Sequence, residues 1–169
     1  MALEIRDARA TDCDAIAAIN AAGRPGVNPF EDGEIEACIA KATYFRVAER
    51  EGSVAAYLLA FDHGFRAIGD EYAWFQARHP AFLYVDQIAV AEWAWRGGVG
   101  TALYLDLERE ARSRGIPRVT CEVNLRPPNP RSLAFHAARG FREVGRLEVR
   151  DGRFVSLLEL EVRARPLEE

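Results

Sequence analysis

Residues 90 to 110 read Val-Ala-Glu-Trp-Ala-Trp-Arg-Gly-Gly-Val-Gly-Thr-Ala-Leu-Tyr-Leu-Asp-Leu-Glu-Arg-Glu, a glycine-rich turn that leaves an apolar run and opens into a helical pattern. Gly97, Gly98 and Gly100 lack Cβ atoms, so the backbone can turn tightly and approach a ligand closely. The helix expected from Val99 leaves its first amide hydrogens without partners inside the helix, and its dipole adds positive potential there. Such a turn suits an anion, with phosphate or pyrophosphate the natural guest and Arg96 adding a formal charge. A P-loop would need a lysine before Thr101, and the only lysine of the chain is Lys41. A dinucleotide loop would need a third glycine where Leu103 stands. A tight strand-to-helix connection without a ligand remains the plain alternative.

A second segment, Asn129-Pro-Arg-Ser132-Leu-Ala-Phe-His136-Ala-Ala-Arg-Gly140-Phe141, narrows the choice. With the glycine turn it resembles the GCN5-related N-acetyltransferase (GNAT) superfamily. The loop of that family is usually written Gln/Arg-x-x-Gly-x-Gly/Ala, and its later signature runs Asn-x-x-Ala/Ser-x-x-x-Tyr-x-x-x-Gly-Phe. Gly98 and Gly100 match the loop glycines; Asn129, Ser132, Gly140 and Phe141 match the later motif in the right order. The resemblance covers roughly residues 82 to 160 by motif and the N-terminal half by pattern. Tyr72 to Phe75, Phe82 to Asp86, Asn129 and the Phe135-His136 pair resemble a bacterial branch of predicted acetyltransferases. Two positions depart from the pattern: Trp95 stands where the family usually has Gln or Arg, and His136 where it usually has the Tyr thought to protonate the departing thiolate.

The resemblance implies a single α/β domain over residues 1–165, followed by a polar tail at 166–169. Its sheet would be mixed and mostly antiparallel, with a splayed central parallel strand pair and helices on both faces. It also implies an acetyl-CoA-dependent N-acetyltransferase that moves an acetyl group to a primary amine by direct attack in a ternary complex, with no metal. The pantetheine arm would lie between the strands Tyr84–Val90 and Arg118–Asn124, bonded by backbone around Ile88, Ala89 and Val90. The pyrophosphate would be held by Arg96, Gly97, Gly98, Val99, Gly100 and Thr101 behind Trp95. Asn129 would add a side-chain contact to the cofactor, beside Ser132.

Transfer to an amine requires a deprotonated nucleophile, a polarised thioester oxygen and a stabilised thiolate. The amide near Ile88 or Ala89 is the expected oxyanion donor. His136 is the candidate acid, since an unperturbed imidazole titrates near about 6.5. Asp86 and Glu122, on the two central strands, are the candidate bases. Tyr72, Trp74 and Phe75 either line an acceptor pocket or pack as a small core under a long loop. Asp62, Asp70 and Glu71 would suit a cationic amine or simply face solvent. Trp93 and Trp95 offer a subunit contact and hence a possible homodimer. A non-catalytic acyl-CoA sensor and an acetyltransferase of protein N-termini or lysines are the competing functions.

Composition agrees with one soluble domain. The chain has 169 residues, 49% of them hydrophobic, enough for one well-buried core and too few for two. A net charge of −4, from 22 basic and 26 acidic residues, argues against nonspecific nucleic-acid binding, which needs a basic surface. The opening Met-Ala-Leu-Glu-Ile-Arg contains no apolar leader and no run long enough to span a bilayer, so a cytoplasmic location without membrane contact is expected. Cys13, Cys38 and Cys121 are odd in number and lack metal-site spacing, so reduced thiols are expected, with Cys121 buried.

Along the chain, a short strand from Leu3 precedes an Ala/Ile-rich helix capped at Thr11-Asp12, and a second helix is expected over Glu31 to Ala42. Strands at Tyr44–Glu49 and Ser53–Phe61 should turn at Glu51-Gly52. Asp62 to Pro80 shows no clear periodicity and is expected to be irregular. Phe82 to Val90 reads as the central strand. Val99, Leu103, Leu107 and Ala111 then give one apolar helix face, followed by a parallel strand at Arg118–Asn124. A short helix over Arg131–Arg139 and a hairpin at Asp151-Gly152, between Phe141–Val149 and Phe154–Val162, complete the chain.

Overall fold

The computed structural model describes residues 2–66 and 68–163. The polar tail expected at 166–169 lies outside the described residues. Among the described residues seven strands form one mixed sheet in the order β1 (Leu3–Asp7), β2 (Tyr44–Arg50), β3 (Ser53–Asp62), β4 (Leu83–Val90), β5 (Arg118–Arg126), β7 (Phe154–Glu161), β6 (Arg142–Glu148), with helices flanking it. The pairs β1/β2, β2/β3, β5/β7 and β6/β7 are antiparallel and β4/β5 is parallel, the mostly antiparallel sheet with a central parallel pair that is expected. By backbone contact the chain divides into two compact units, Met1–Phe61 with Val85–Leu107, and Asp62–Tyr84 with Glu108–Glu169.

In the first unit, β1 (Leu3–Asp7) pairs with β2 (Tyr44–Arg50), which pairs with β3 (Ser53–Asp62). The β2–β3 turn puts Glu51 and Gly52 at φ 55° and 77°, the left-handed pair that a two-residue hairpin requires. Ala55 to Phe61 is buried without interruption, as expected of a strand covered on both faces. Helix α1 spans Cys13–Ala22 after a 3₁₀ turn at Ala10–Asp12, where the Asp12 carboxylate accepts the Arg9 amide and two bonds from the Arg6 guanidinium. Helix α2 runs only from Glu34 to Lys41, shorter than expected. Gly33 sits at φ 77° and the Glu31 amide donates to the Glu34 carboxylate, so residues 31–33 form the turn into the helix rather than its first turn.

β4 spans Leu83–Val90, and its last six residues belong to the first unit together with the start of α4 (Val99–Ser113). Val99, Leu103, Leu107 and Ala111 are all buried, the face the spacing predicts.

In the second unit, Asp70–Gln76 forms helix α3, which corrects the expectation that 62–80 is irregular throughout. Its N-terminal Gly69 supplies no side-chain cap, and the helix is fixed by ion pairs instead: Glu71 to Arg153 at 2.8 Å and Asp70 to Arg150 at 3.4 Å. β5 (Arg118–Arg126) pairs with β7 (Phe154–Glu161), which pairs with β6 (Arg142–Glu148). Helix α5 (Pro130–Ala138) lies between β5 and β6 in sequence. Gly152, at φ 90°, donates to the Val149 carbonyl and closes the expected hairpin.

Candidate active site

The glycine turn is built almost wholly by backbone. After β4 the chain makes a 3₁₀ turn at Glu92–Ala94, and the Trp95 amide closes on the Glu92 carbonyl. Arg96 and Gly98 take φ 62° and 74°, which reverses the chain into α4. The first helical bond runs from the Ala102 amide to the Gly98 carbonyl at 3.0 Å. Among the described residues no backbone bond uses the amides of residues 96–101, which leaves six donors without backbone acceptors at a helix N-terminus whose residues 96–98 are exposed. A Cβ at Gly98 would meet nothing within 4 Å, so glycine is set there by its φ and by open space in front of the turn.

Two side chains complete the turn. The Trp95 indole N–H donates to the Val90 carbonyl at 2.9 Å, which fixes the ring although 47% of the residue is exposed. That carbonyl, one of the backbone groups expected to meet the pantetheine arm, thus already accepts one bond. Arg50, at the end of β2, donates from Nη2 to the Gly97 carbonyl at 3.3 Å. A Cβ at Gly97 would come within 2.8 Å of Arg50 Nη1, so the end of the guanidinium packs against the turn at Gly97. Sequence reading misses Arg50 because only the folded sheet brings residue 50 to residue 97.

Along β4, Val85, Gln87 and Ala89 are buried while Asp86, Ile88 and Val90 are half-buried, the alternation expected of a strand. Asp86 contributes to the environment of Cys38, whose thiol is pushed up to about 11 by burial first, then by the charges of Glu34 and Asp86. Beside it, Gln87 joins a buried network. The Tyr57 hydroxyl donates to Gln87 Oε1 at 2.6 Å, the Asn20 amide donates to the same oxygen at 3.0 Å, and both Asn20 and Gln87 donate to the Asn28 carbonyl. Burial raises the Tyr57 hydroxyl well above its ordinary value, so it stays protonated as the donor.

In the second unit, the parallel pairing of β4 and β5 has Leu83 opposite Val119 and Tyr84 opposite Thr120. The Tyr84 hydroxyl donates to Glu122 Oε2 at 2.6 Å, so this candidate base carries a short bond from a neighbouring strand. Asn129 caps α5: its Oδ1 accepts the Ser132 amide at 3.3 Å, and Pro130 occupies the first helical position. Gly140, at φ 96°, ends the segment.

His136 is only 3% exposed and is wedged edge-on between the rings of Phe135 and Phe141. Its Nδ1 lies 2.8 Å from the Ser132 carbonyl and 3.3 Å from the Ser132 hydroxyl, so Nδ1 carries the proton donated to that carbonyl. Burial lowers its pKa below the ordinary 6.5, with the Ser132 carbonyl opposing the shift. The neutral ring is therefore the resting form at neutral pH.

The aromatic trio separates. Tyr72 and Phe75 are fully buried and pack against Phe82 and Tyr84. The Tyr72 hydroxyl donates to the Asp62 carbonyl and accepts the Phe65 amide. Trp74 is half-buried; the Arg78 guanidinium stacks 3.6 Å from its ring centroid, and its other side fills the space a Cβ at Gly145 would need. Asp70 and Glu71 are held in the arginine pairs described above. Trp93 is 58% exposed. Cys121 is buried, as expected. Among the described residues no group of His, Cys, Asp and Glu is placed to hold a metal ion, and no helix is long and apolar enough to cross a membrane.

The family model described as "Acetyltransferase (GNAT) family" matches residues 13–141. No curated protein matches the sequence. Solved structures share the fold at low identity. Ard1 from Thermoplasma volcanium superposes with a TM-score of 0.79 at 19% identity, covering 96% of this chain and 99% of that one. The ribosomal-protein-S18-alanine N-acetyltransferase from Escherichia coli gives 0.70 at 18% identity, with 99% of each chain covered. YncA from Salmonella typhimurium, a putative acetyltransferase solved with its cofactor acetyl-CoA, gives 0.72 at 20% identity, covering 100% of this chain and 99% of that one.

Proposed function

Since this chain belongs to the GNAT acetyltransferase family, we propose that it transfers an acetyl group from acetyl-CoA to a primary amine of a small molecule, by direct attack in a ternary complex, with residues 1–165 acting as one catalytic domain. The observation that carries this reading is the turn at 96–101, exposed at residues 96–98, whose amides have no backbone acceptors among the described residues. Such a cradle neutralises a pyrophosphate through oriented N–H groups and the helix dipole. The acetyl-CoA bound by the Salmonella relative fits the same assignment.

The residues then take the following roles. Arg96 to Thr101 hold the pyrophosphate. The backbone of Ile88 and Ala89 bonds the pantetheine arm, with Val90 beside them and Trp95 closing the Val90 carbonyl. Asn129 and Ser132 add contacts at the start of α5. The amide near Ile88 or Ala89 stabilises the negative charge that develops on the thioester oxygen. Glu122 is the favoured base because the Tyr84 hydroxyl fixes its carboxylate, and Asp86 is the second candidate. The amine lone pair attacks the thioester carbon, the attacking nitrogen gives up its proton to Glu122, the C–S bond breaks, and His136, having taken up a proton from water, donates it to the departing thiolate. Trp93 and Trp95, both exposed, would face a second copy in a homodimer; a monomeric mass at high concentration in sedimentation would refute that part.

Thiol release from acetyl-CoA, followed across a library of small amines, tests the reading. Acceptor-dependent release supports it. The neutral, helix-bonded state of His136 favours one competing reading, a non-catalytic acyl-CoA sensor. Tight binding of acetyl-CoA with no release for any amine would select the sensor. Release only with peptides bearing a free N-terminus or lysine would move the acceptor to protein.

A further inference from the structure

We propose that Arg50 is a pyrophosphate-binding residue of this chain: its guanidinium, seated on the Gly97 backbone, supplies the side-chain charge that the Trp95 position does not. The inference rests on the acetyl-CoA reading of the glycine turn.

Three observations carry it. Arg50 Nη2 donates to the Gly97 carbonyl at 3.3 Å, which anchors one edge of the guanidinium to the middle of the turn. Nη1 and Nη2 lie 2.8 and 3.1 Å from where a Cβ at Gly97 would stand, so the end of the guanidinium occupies the space that the missing side chain leaves on the turn. Arg50 also makes no ion pair with any carboxylate among the described residues, whereas Arg6, Arg46, Arg118 and Arg153 each make at least one.

An arginine has five N–H donors in a fixed fork. One bond to a backbone carbonyl orients the fork and leaves the rest of its donor set for an oxyanion, with the bidentate geometry that phosphate favours. The Gly97 carbonyl, an acceptor that would otherwise repel a phosphate, is covered by the same contact. Arg96 brings a second cation beside the turn, but its left-handed backbone is part of the reversal itself. Arg50 comes from a different strand, so its position is set by the hairpin that ends at Glu51-Gly52.

The test is calorimetric titration of CoA, 3′-dephospho-CoA and pantetheine into the wild type, Arg50→Gln and Arg50→Lys. Arg50→Gln is expected to weaken CoA and 3′-dephospho-CoA alike by about tenfold or more, and pantetheine not at all. Arg50→Lys, which keeps the charge and loses the fork, should fall between. Equal CoA affinity in wild type and Arg50→Gln overturns the proposal while leaving the acetyl-CoA reading intact. A loss confined to CoA and absent for 3′-dephospho-CoA moves the contact to the 3′-phosphate and overturns the pyrophosphate assignment. A wild type that binds neither CoA nor 3′-dephospho-CoA overturns the acetyl-CoA reading itself. Unchanged melting temperatures in both variants, expected for a half-exposed arginine without an ion pair, keep misfolding out of the comparison.

Discussion

The glycine turn at 95–101 and the helix Pro130–Ala138 carry the two motifs by which the chain is recognised, and they work in opposite ways. The turn acts through backbone: amides without backbone acceptors, two left-handed residues, and open space before Gly98. The helix acts through side chains, and each of its motif side chains is already engaged. Asn129 caps the helix, and Ser132 and His136 bond within it. A motif of glycines therefore reports geometry that survives substitution of its neighbours, as Trp95 does. A motif of polar side chains reports a local fold whose chemical duties can differ from chain to chain.

The contrast breaks most readily at His136. If it returns the proton to the thiolate, His136→Phe should lower kcat by about 100-fold with KM for acetyl-CoA unchanged. A kcat within threefold of wild type would reduce the residue to a packed, capped ring. The same substitution should alter acid stability. Burial puts the folded pKa below 6.5, so the contribution of the neutral ring is complete above that value and is lost as pH falls toward the folded value. The wild-type melting temperature should drop between pH 7 and pH 5.5 by more than that of the Phe variant.

Tyr84→Phe comes next in size. Removing the hydroxyl that orients Glu122 should lower kcat about tenfold while leaving CoA affinity untouched, and an unchanged pH-rate profile with wild-type kcat would shift the base to Asp86. Asn129→Ala sharpens the comparison from the other side. Loss of the N-cap should cost about 1 kcal/mol of stability in denaturant titration. A rise in KM for acetyl-CoA at undiminished stability would instead mark Asn129 as a cofactor contact.

These differences follow the physics of what a sequence displays. The hairpins at Glu51-Gly52 and Asp151-Gly152, the apolar face of α4 and the glycine turn are local, and each is written within about a dozen residues. Helix α3 is not. Seven residues between Gly69 and Ala77 give too little periodicity, and the helix is held by Arg150 and Arg153, some 80 residues away. The Asn20–Tyr57–Gln87 network joins residues 37 and 67 positions apart, and Arg50 reaches Gly97 across 47. Pairings of that span leave no local pattern. The capping role of Asn129 is hidden for another reason: the residue type that suits the proposed cofactor contact is also the best helix cap.

The backbone character of the turn predicts the smallest effect of all for Trp95→Gln, a change in CoA affinity within about threefold, because the indole N–H donates to the Val90 carbonyl and the amides proposed to hold the pyrophosphate stay in place. Gly98→Val is the opposing limit. A β-branched residue cannot hold φ 74° without strain, and its side chain would project into the space before the turn. Calorimetric titration of CoA into the Gly98→Val and wild-type proteins side by side is the most direct test. The expected result is one CoA bound per wild-type chain and an affinity lowered about 100-fold or more in the folded variant. Equal affinity in the two proteins would contradict the glycine turn as the pyrophosphate site.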